Sequence, residues 1–384
     1  MRVLVAPDKF KGSLSAAEVA AAVAAGLRRV VPSAIVAQVP VADGGEGTLE
    51  AALAAGFTRV PVQVAGPTGA PLDSAVAVRD RTAVVEMAAA SGLALLPGGQ
   101  PAPLAATSLG TGQLLRVALD LGCTEVVLGI GGSACTDGGA GLLAGLGARL
   151  LDAGGHDLVP GGGSLAHLDR VELSGLDPRL RGVRVVLASD VDNPLLGPSG
   201  AAAVYGPQKG ASAGDVVVLE AALTRWAAAL AGVVGSRAAT AVPEPGAGAA
   251  VGVGYACLVA LGAVRRPGVD VVLELGAFAE HLRGADLVLT GEGSLDDQTL
   301  RGKAPAGVAA RARAAGVPVV AVAGRCSLGP DELREAGITA AYPLTAIEPD
   351  VDRCMREAGA LLERLAGRIA QEHLLIPTTR EASS

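Results

Sequence analysis

Short valine-rich apolar runs alternating with alanine-rich stretches of helical length constrain this chain more than any other feature. Val3-Leu-Val-Ala6, Leu287-Val-Leu-Thr290 and Val319-Val-Ala-Val322 are such runs, and Ala16-Ala-Glu-Val-Ala-Ala-Ala-Val23 is one of the helical stretches between them. Alternation of this kind predicts an α/β protein with a largely parallel sheet. Strands are expected over 2–6, 33–40, 125–128, 286–290 and 318–323, and helices near 15–30, 48–55, 140–151, 305–315 and 354–371. The last of these repeats apolar residues at Leu361, Leu362, Leu365 and Ile369, one face of a helix. From Ile376 onward the sequence reads as a polar tail.

With 384 residues the chain exceeds one compact core, which points to two domains. Turn-rich segments at Gly66-Pro-Thr-Gly-Ala-Pro71, 96–103 and 154–163 break up the middle of the chain. The expected division is an outer domain from both chain ends, 1–66 plus 280–384, and an inserted α/β domain over 67–279.

Composition excludes several function classes. The formal net charge is −7, and three Phe, three Tyr and one Trp offer no stacking platform for bases, so no nucleic-acid partner is expected. Five scattered cysteines without a Cys-x-x-Cys pair fit reduced thiols in a cytoplasmic protein, and the four histidines show no zinc-ligand spacing. The N-terminal apolar run is broken too early for a signal peptide. The uncharged run 245–264 contains five glycines and has no arginine-rich flank, so it is read as a buried helix and no membrane partner is expected.

Only four of the thirty-one basic residues are lysines, and each lies in a loop-like, glycine-bearing stretch: Lys9 and Lys11, Lys209 in Gly206-Pro-Gln-Lys-Gly210, and Lys303 in Arg301-Gly-Lys-Ala-Pro305. Lysine gives a compact charge with freely aimed donors, suited to a phosphate held by backbone amides. The competing reading is a bias toward arginine with four chance survivors.

Acids fall in a related pattern. Four expected strands end on one beside a loop: Asp8, Asp43, Asp190 and Glu292. In an open parallel sheet these ends border the ligand crevice. Lysines around phosphates, a carboxylate for a hydroxyl and carboxylates for magnesium together suit phosphoryl transfer. Asp190 is read as the base, because Asp192, Asn193 and Pro194 follow it on a turn; that tripeptide also reads as a plain turn.

Gly129-Ile-Gly-Gly-Ser-Ala134 fits a Gly-x-Gly-x-x-Ala dinucleotide loop, a weak signal alone. Asp152 has the spacing of a ribose-binding acid but follows a helix rather than a second strand. No Gly-x-x-x-x-Gly-Lys-Ser/Thr loop exists, since Asp297 stands where Gly302-Lys303 would need a first glycine. Ser108-Leu-Gly-Thr-Gly112 before an apolar helix reads as an anion nest or as a capped helix.

Six motifs resemble the bacterial glycerate kinase family: Ala6-Pro-Asp-Lys-Phe-Lys-Gly-Ser-Leu-Ser15, Pro40-Val-Ala-Asp-Gly-Gly-Glu-Gly-Thr48, Gly129-Ile-Gly-Gly-Ser-Ala134, Ser189-Asp-Val-Asp-Asn-Pro-Leu195, Tyr205-Gly-Pro-Gln-Lys-Gly-Ala211 and Leu289-Thr-Gly-Glu-Gly-Ser-Leu-Asp296. They occur in the family's order from Met1 to about Gly367. The resemblance implies an ATP- and Mg2+-dependent kinase acting on D-glycerate, usually at the 2-hydroxyl, with formation of 3-phosphoglycerate as the alternative. It also implies a Rossmann- or flavodoxin-like domain, a second α/β domain and an active site in the cleft between them.

In that frame Asp190 is the expected base, and Lys11 with the amides near Gly12 and Ser13 binds anionic groups. Glu292 and Asp296 are the expected metal ligands. Asp8, Asp43, Gly44, Gly45, Glu46, Gly131, Gly132, Ser133, Asp192, Asn193, Lys209 and Lys303 complete the expected substrate and ATP contacts. Two departures from the family pattern stand out: Lys9 replaces a serine, and Thr136 replaces an asparagine beside Cys135, which is read as a packing residue. A nicotinamide-dependent hydroxy-acid oxidoreductase using the Gly129 loop and a non-catalytic glycerate sensor are the other function classes. The expected assembly is a monomer or homodimer.

Overall fold

The computed structural model describes residues 1–375. The chain forms two compact units, Met1–Ala42 with Val272–Ser384, and Asp43–Val271. The sequence-based boundaries were 66/67 and 279/280. Residues 43–66 instead join the inserted unit, because Thr58–Ala65 pairs antiparallel with Pro71–Arg79 along its whole length. The second division falls inside the helix Gly268–Leu275.

The unit built from the chain ends carries a five-stranded, wholly parallel sheet in the spatial order Ile35–Gln38, Arg2–Pro7, Leu287–Leu295, Val319–Cys326, Ala340–Pro343. Numbered along the chain this is 2-1-3-4-5, the doubly wound flavodoxin-like order. Its switch point lies between Arg2–Pro7 and Leu287–Leu295, so the loops after these strands are where ligands bind in such sheets. The buried runs of both strands reflect helices packed on the sheet. Ser15 and Glu18 form a capping box that starts the helix Ala16–Val30, and Ser15→Ala there costs about 1 kcal/mol. That helix buries Val19, Ala20, Val23 and Leu27 beside Leu361, Leu362, Leu365 and Ile369 of the helix Ala358–His373. The contact is close enough that a Cβ on Gly26 would lie 2.2 Å from the Glu363 carbonyl oxygen.

The inserted unit has a six-stranded mixed sheet ordered Val264–Arg266, Arg184–Ala188, Glu125–Gly129, Thr82–Glu86, Pro71–Arg79, Thr58–Ala65. The first four strands are parallel and the last two antiparallel. A two-stranded sheet pairs Arg149–Leu151 with Arg170–Glu172. The expected helix over 140–151 therefore stops at Gly145, and Gly147 with φ +108° turns the chain into a strand. Within the uncharged run the helix is Ala249–Ala260, and Val264 begins the strand Val264–Arg266. A different helix, Ala213–Val234, is long and apolar enough to cross a membrane by length and composition. Its Leu219, Leu223, Trp226 and Leu230 are buried in the unit's core.

Candidate functional site

The expected site residues fall into two groups, one in each unit. In the unit formed by the chain ends, Asp8 follows the strand Arg2–Pro7 directly and is buried; its N–H donates to the Gly291 carbonyl at 2.8 Å. Its Oδ1 accepts the Lys9 N–H at 2.6 Å and lies 3.5 Å from Lys9 Nζ. Lys9 thus neutralises Asp8, while Lys11 is exposed on the turn beyond it. That turn closes through Ser13 N–H and Leu14 N–H donating to the Phe10 carbonyl, with Gly12 at φ +78°. Ser13 Oγ donates to the Met355 carbonyl at 2.5 Å, anchoring the turn.

Glu292 departs from its expected position. The strand runs on through it to Leu295, because Ser294 and Leu295 stay in register with Arg325 and Cys326. Glu292 is nevertheless drawn to Asp296 by a residue the sequence did not single out. Buried Thr299 donates its hydroxyl to Glu292 Oε1 and accepts the Asp296 N–H at 3.0 Å. Asp296 Oδ1 accepts the Gln298 N–H at 2.9 Å. Lys303 Nζ stands 3.7 Å from Glu292 Oε2, just before the helix Ala304–Ala314. Two carboxylates four residues apart, linked by Thr299, suit magnesium, which takes one or two carboxylates and completes its shell with water and phosphate oxygens. No cluster of three or more His, Cys, Asp or Glu placed to hold a metal occurs among the described residues.

In the inserted unit the glycine motifs explain each other. Gly131 N–H donates to the Gly44 carbonyl at 3.1 Å, and a Cβ on Gly131 would lie 2.6 Å from Gly45 Cα. The loops Asp43-Gly-Gly-Glu46 and Gly129-Ile-Gly-Gly132 therefore pack backbone on backbone. This removes the dinucleotide reading, because the space at Gly131 is filled by the chain itself. Asp43 Oδ1 accepts the Gly45 N–H at 3.1 Å, and Glu46 is exposed. The next helix, Thr48–Ala54, begins with its Gly47 and Leu49 N–H groups already donated to Glu86 Oε2.

Asp190 follows the strand Arg184–Ala188 by two residues and keeps exposed surface. Its Oδ1 accepts the Gly268 N–H at 2.9 Å, at the start of the helix Gly268–Leu275. Burial among neighbouring atoms pushes its pKa up to about 6, opposed by the Gly268 hydrogen bond and reinforced by the negative charge of Asp43, with smaller contributions from Val269 and Asp270. A carboxylate tuned toward neutral pH matches what proton abstraction requires. Gly268 makes this fit possible, since a Cβ there would lie 2.1 Å from the Asp43 carbonyl oxygen. Gly268→Ala is expected to cost about 1–3 kcal/mol through backbone displacement and to lower turnover; thermal unfolding and steady-state kinetics check both.

Two expected ligand contacts are engaged elsewhere. Asn193 donates through Nδ2 to the Ser199 carbonyl at 2.8 Å and accepts the Tyr205 hydroxyl through Oδ1 at 2.5 Å, so it shapes the turn after Asp190. Lys209 is buried, donating to Ser133 Oγ at 2.9 Å and to the Cys135 carbonyl at 2.7 Å, and burial lowers its pKa. It ties Ser133 and Cys135 together. Asp192 pairs with Arg265 at 2.8 Å. Thr136 donates to the Pro103 carbonyl at 2.6 Å. The Cys135 thiol is pushed up to about 12, mainly by burial, too high for a nucleophile at neutral pH.

The Ser108 motif does bind an anion, but an internal one. Buried Asp137 accepts the Ser108 N–H and Oγ–H, the Thr107 hydroxyl, and the Gly139 and Gly141 N–H groups, all within 3.2 Å. Nothing in the local spacing of Asp137 marked it as this partner.

The glycerate kinase family model matches residues 3–374. The chain belongs to this family. It is 44% identical over 381 residues to the glycerate kinase of Bacillus subtilis strain 168, covering 98% of this chain and 99% of the relative. It is 42% identical to the glycerate 2-kinase of Escherichia coli K12, covering 96% and 97%. A crystal structure of a protein provisionally named glycerate kinase 2, from Salmonella typhimurium LT2, superposes with a TM-score of 0.82 at 41% identity, over 97% of this chain and 98% of that one. The matched span includes both residue groups.

Proposed function

We propose that this family member transfers the γ-phosphoryl group of ATP to the 2-hydroxyl of D-glycerate, giving 2-phospho-D-glycerate, with Asp190 as the base. The observation that carries the assignment of roles is Asp190, a strand-end carboxylate fixed by the Gly268 N–H and shifted to about 6. The name of the Escherichia coli relative supports the 2-hydroxyl over the 3-hydroxyl.

In this reading each residue group has its own task. Lys11, with the amide of Gly12 and with Asp8 and Lys303 nearby in the same unit, binds the phosphate chain, while the Ser13 amide closes the turn on the Phe10 carbonyl. Glu292 and Asp296 hold the magnesium that accompanies ATP, which neutralises charge on the β- and γ-phosphates. Asp43, Gly44, Gly45, Glu46, Gly131, Gly132, Ser133 and Asp192 shape the acceptor side, and Asn193 and Lys209 fix its loops. The catalytic gain comes from positioning and charge. The reading takes the protein to act in the cytoplasm as a monomer or homodimer.

Incubation with ATP, Mg2+ and D-glycerate, followed by phosphorus NMR of the product, tests this directly. Phosphate on C2 supports the proposal; phosphate on C3, or no phosphorylated glycerate, overturns it. A second expectation concerns pH. The base must be ionised, so kcat/KM should fall tenfold per pH unit below about 6. Asp190→Asn should abolish that limb of the residual rate profile.

A further inference from the structure

We infer that Arg325 is a phosphate-binding residue, the guanidinium partner of Lys11 on the nucleotide side; this rests on the kinase reading of the same unit. Arg325 lies at the carboxyl end of the strand Val319–Cys326, beside Ser294 in the parallel register. Three chain segments meet there through glycines. A Cβ on Gly293 would sit 3.4 Å from the Lys11 backbone nitrogen, and one on Gly324 would sit 2.5 Å from the Gly293 carbonyl oxygen. Lys11 and Arg325 therefore flank the Gly293-Ser294 dipeptide from opposite sides, and this dipeptide lies between Glu292 and Asp296.

The arginine is held but not consumed. Its Nε donates to Ser294 Oγ at 3.1 Å, and that hydroxyl donates to Asp296 Oδ2 at 3.3 Å. The side chain is thereby tied to the same strand end that carries the expected metal ligands. The residue is exposed, and its guanidinium makes no other hydrogen bond or ion pair among the described residues. Lys303, by contrast, already faces Glu292 at 3.7 Å. A polyphosphate with its metal brings several negative charges to this point, and a guanidinium fork matches phosphate oxygens in a way an ammonium does not. Lysine rarity drew attention to Lys11 in the sequence; Arg325 was hidden among the other arginines because its position depends on strand register.

Arg325→Gln and Arg325→Lys, with calorimetric titration of MgATP into each, test the assignment. Arg325→Gln is expected to weaken MgATP binding roughly tenfold or more, with an unchanged melting temperature and an unchanged KM for D-glycerate. Arg325→Lys should remain weakened, because it keeps the charge and loses the fork. MgATP affinity equal to wild type in Arg325→Gln overturns the assignment, as does a matching loss in glycerate KM or full recovery in Arg325→Lys. Wild-type protein that fails to bind MgATP or to phosphorylate glycerate would instead overturn the kinase reading itself.

Discussion

Asp190→Asn is expected to lower kcat by on the order of a hundredfold or more while the protein keeps its fold. The asparagine retains an oxygen acceptor for the Gly268 N–H, now 2.9 Å from Asp190 Oδ1, but it cannot accept the glycerate proton. Stability should move in the opposite direction at alkaline pH. The folded pKa of about 6 lies above the ordinary 3.8, so the folded protein holds this proton more tightly than the unfolded chain. That contribution is complete below about pH 4 and is lost as pH rises through about 6. Above pH 7 the wild type carries a carboxylate that burial and Asp43 both disfavour, and the neutral amide does not. Steady-state kinetics with thermal unfolding at pH 8 separate the two effects: a large rate loss with an equal or higher melting temperature. A near-normal rate would remove Asp190 as the base and leave the family assignment standing.

Asp137→Ala should be the most damaging substitution to the inserted unit, costing on the order of 3–5 kcal/mol. The carboxylate is buried and gathers donors from Thr107, Ser108, Gly139 and Gly141. It thereby satisfies the starts of two helices, Leu109–Asp120 and Ala140–Gly145, whose positive ends converge on it. Removing it leaves several backbone N–H groups buried without an acceptor. Asp137→Asn should lose much of the same stability, because an amide nitrogen would confront N–H donors. The chain's single tryptophan gives a local readout: buried Trp226 donates from Nε1 to the Gly138 carbonyl at 2.9 Å, next to the substituted residue. Urea unfolding followed by Trp226 fluorescence should show an earlier midpoint in both variants. An unchanged midpoint would mean that water replaces the carboxylate at no cost.

The sequence made much of the architecture legible. Valine-rich runs marked the parallel strands, since a strand covered on both faces has no polar side to display. The first helix, expected near 15–30, begins at Ala16 after its Ser15 cap. Glycine clusters located the loops that pack backbone on backbone. The domain boundary was placed late because the antiparallel pairing of Thr58–Ala65 with Pro71–Arg79 leaves no compositional edge at Ala42. Glu292 read as a strand end because an acid followed by glycine resembles a turn, while its pairing with Ala323 on the neighbouring strand carries the strand onward.

Within the candidate site the division is sharper. Local sequence determined which side chains stand on loops after strands: Asp8, Lys11, Asp43, Asp190 and Asp296. Only the tertiary structure decided what each one touches. Gly268, 78 residues from Asp190, supplies its hydrogen bond; Thr299 links Glu292 to Asp296; Lys209 is spent on Ser133 and Cys135; and strand register brings Arg325 to Ser294. Backbone conformation follows from neighbours along the chain, so it leaves a trace in the sequence. Charge, proton affinity and hydrogen bonding depend on distances of a few ångströms between residues that lie far apart in it, and those distances exist only once the chain has folded.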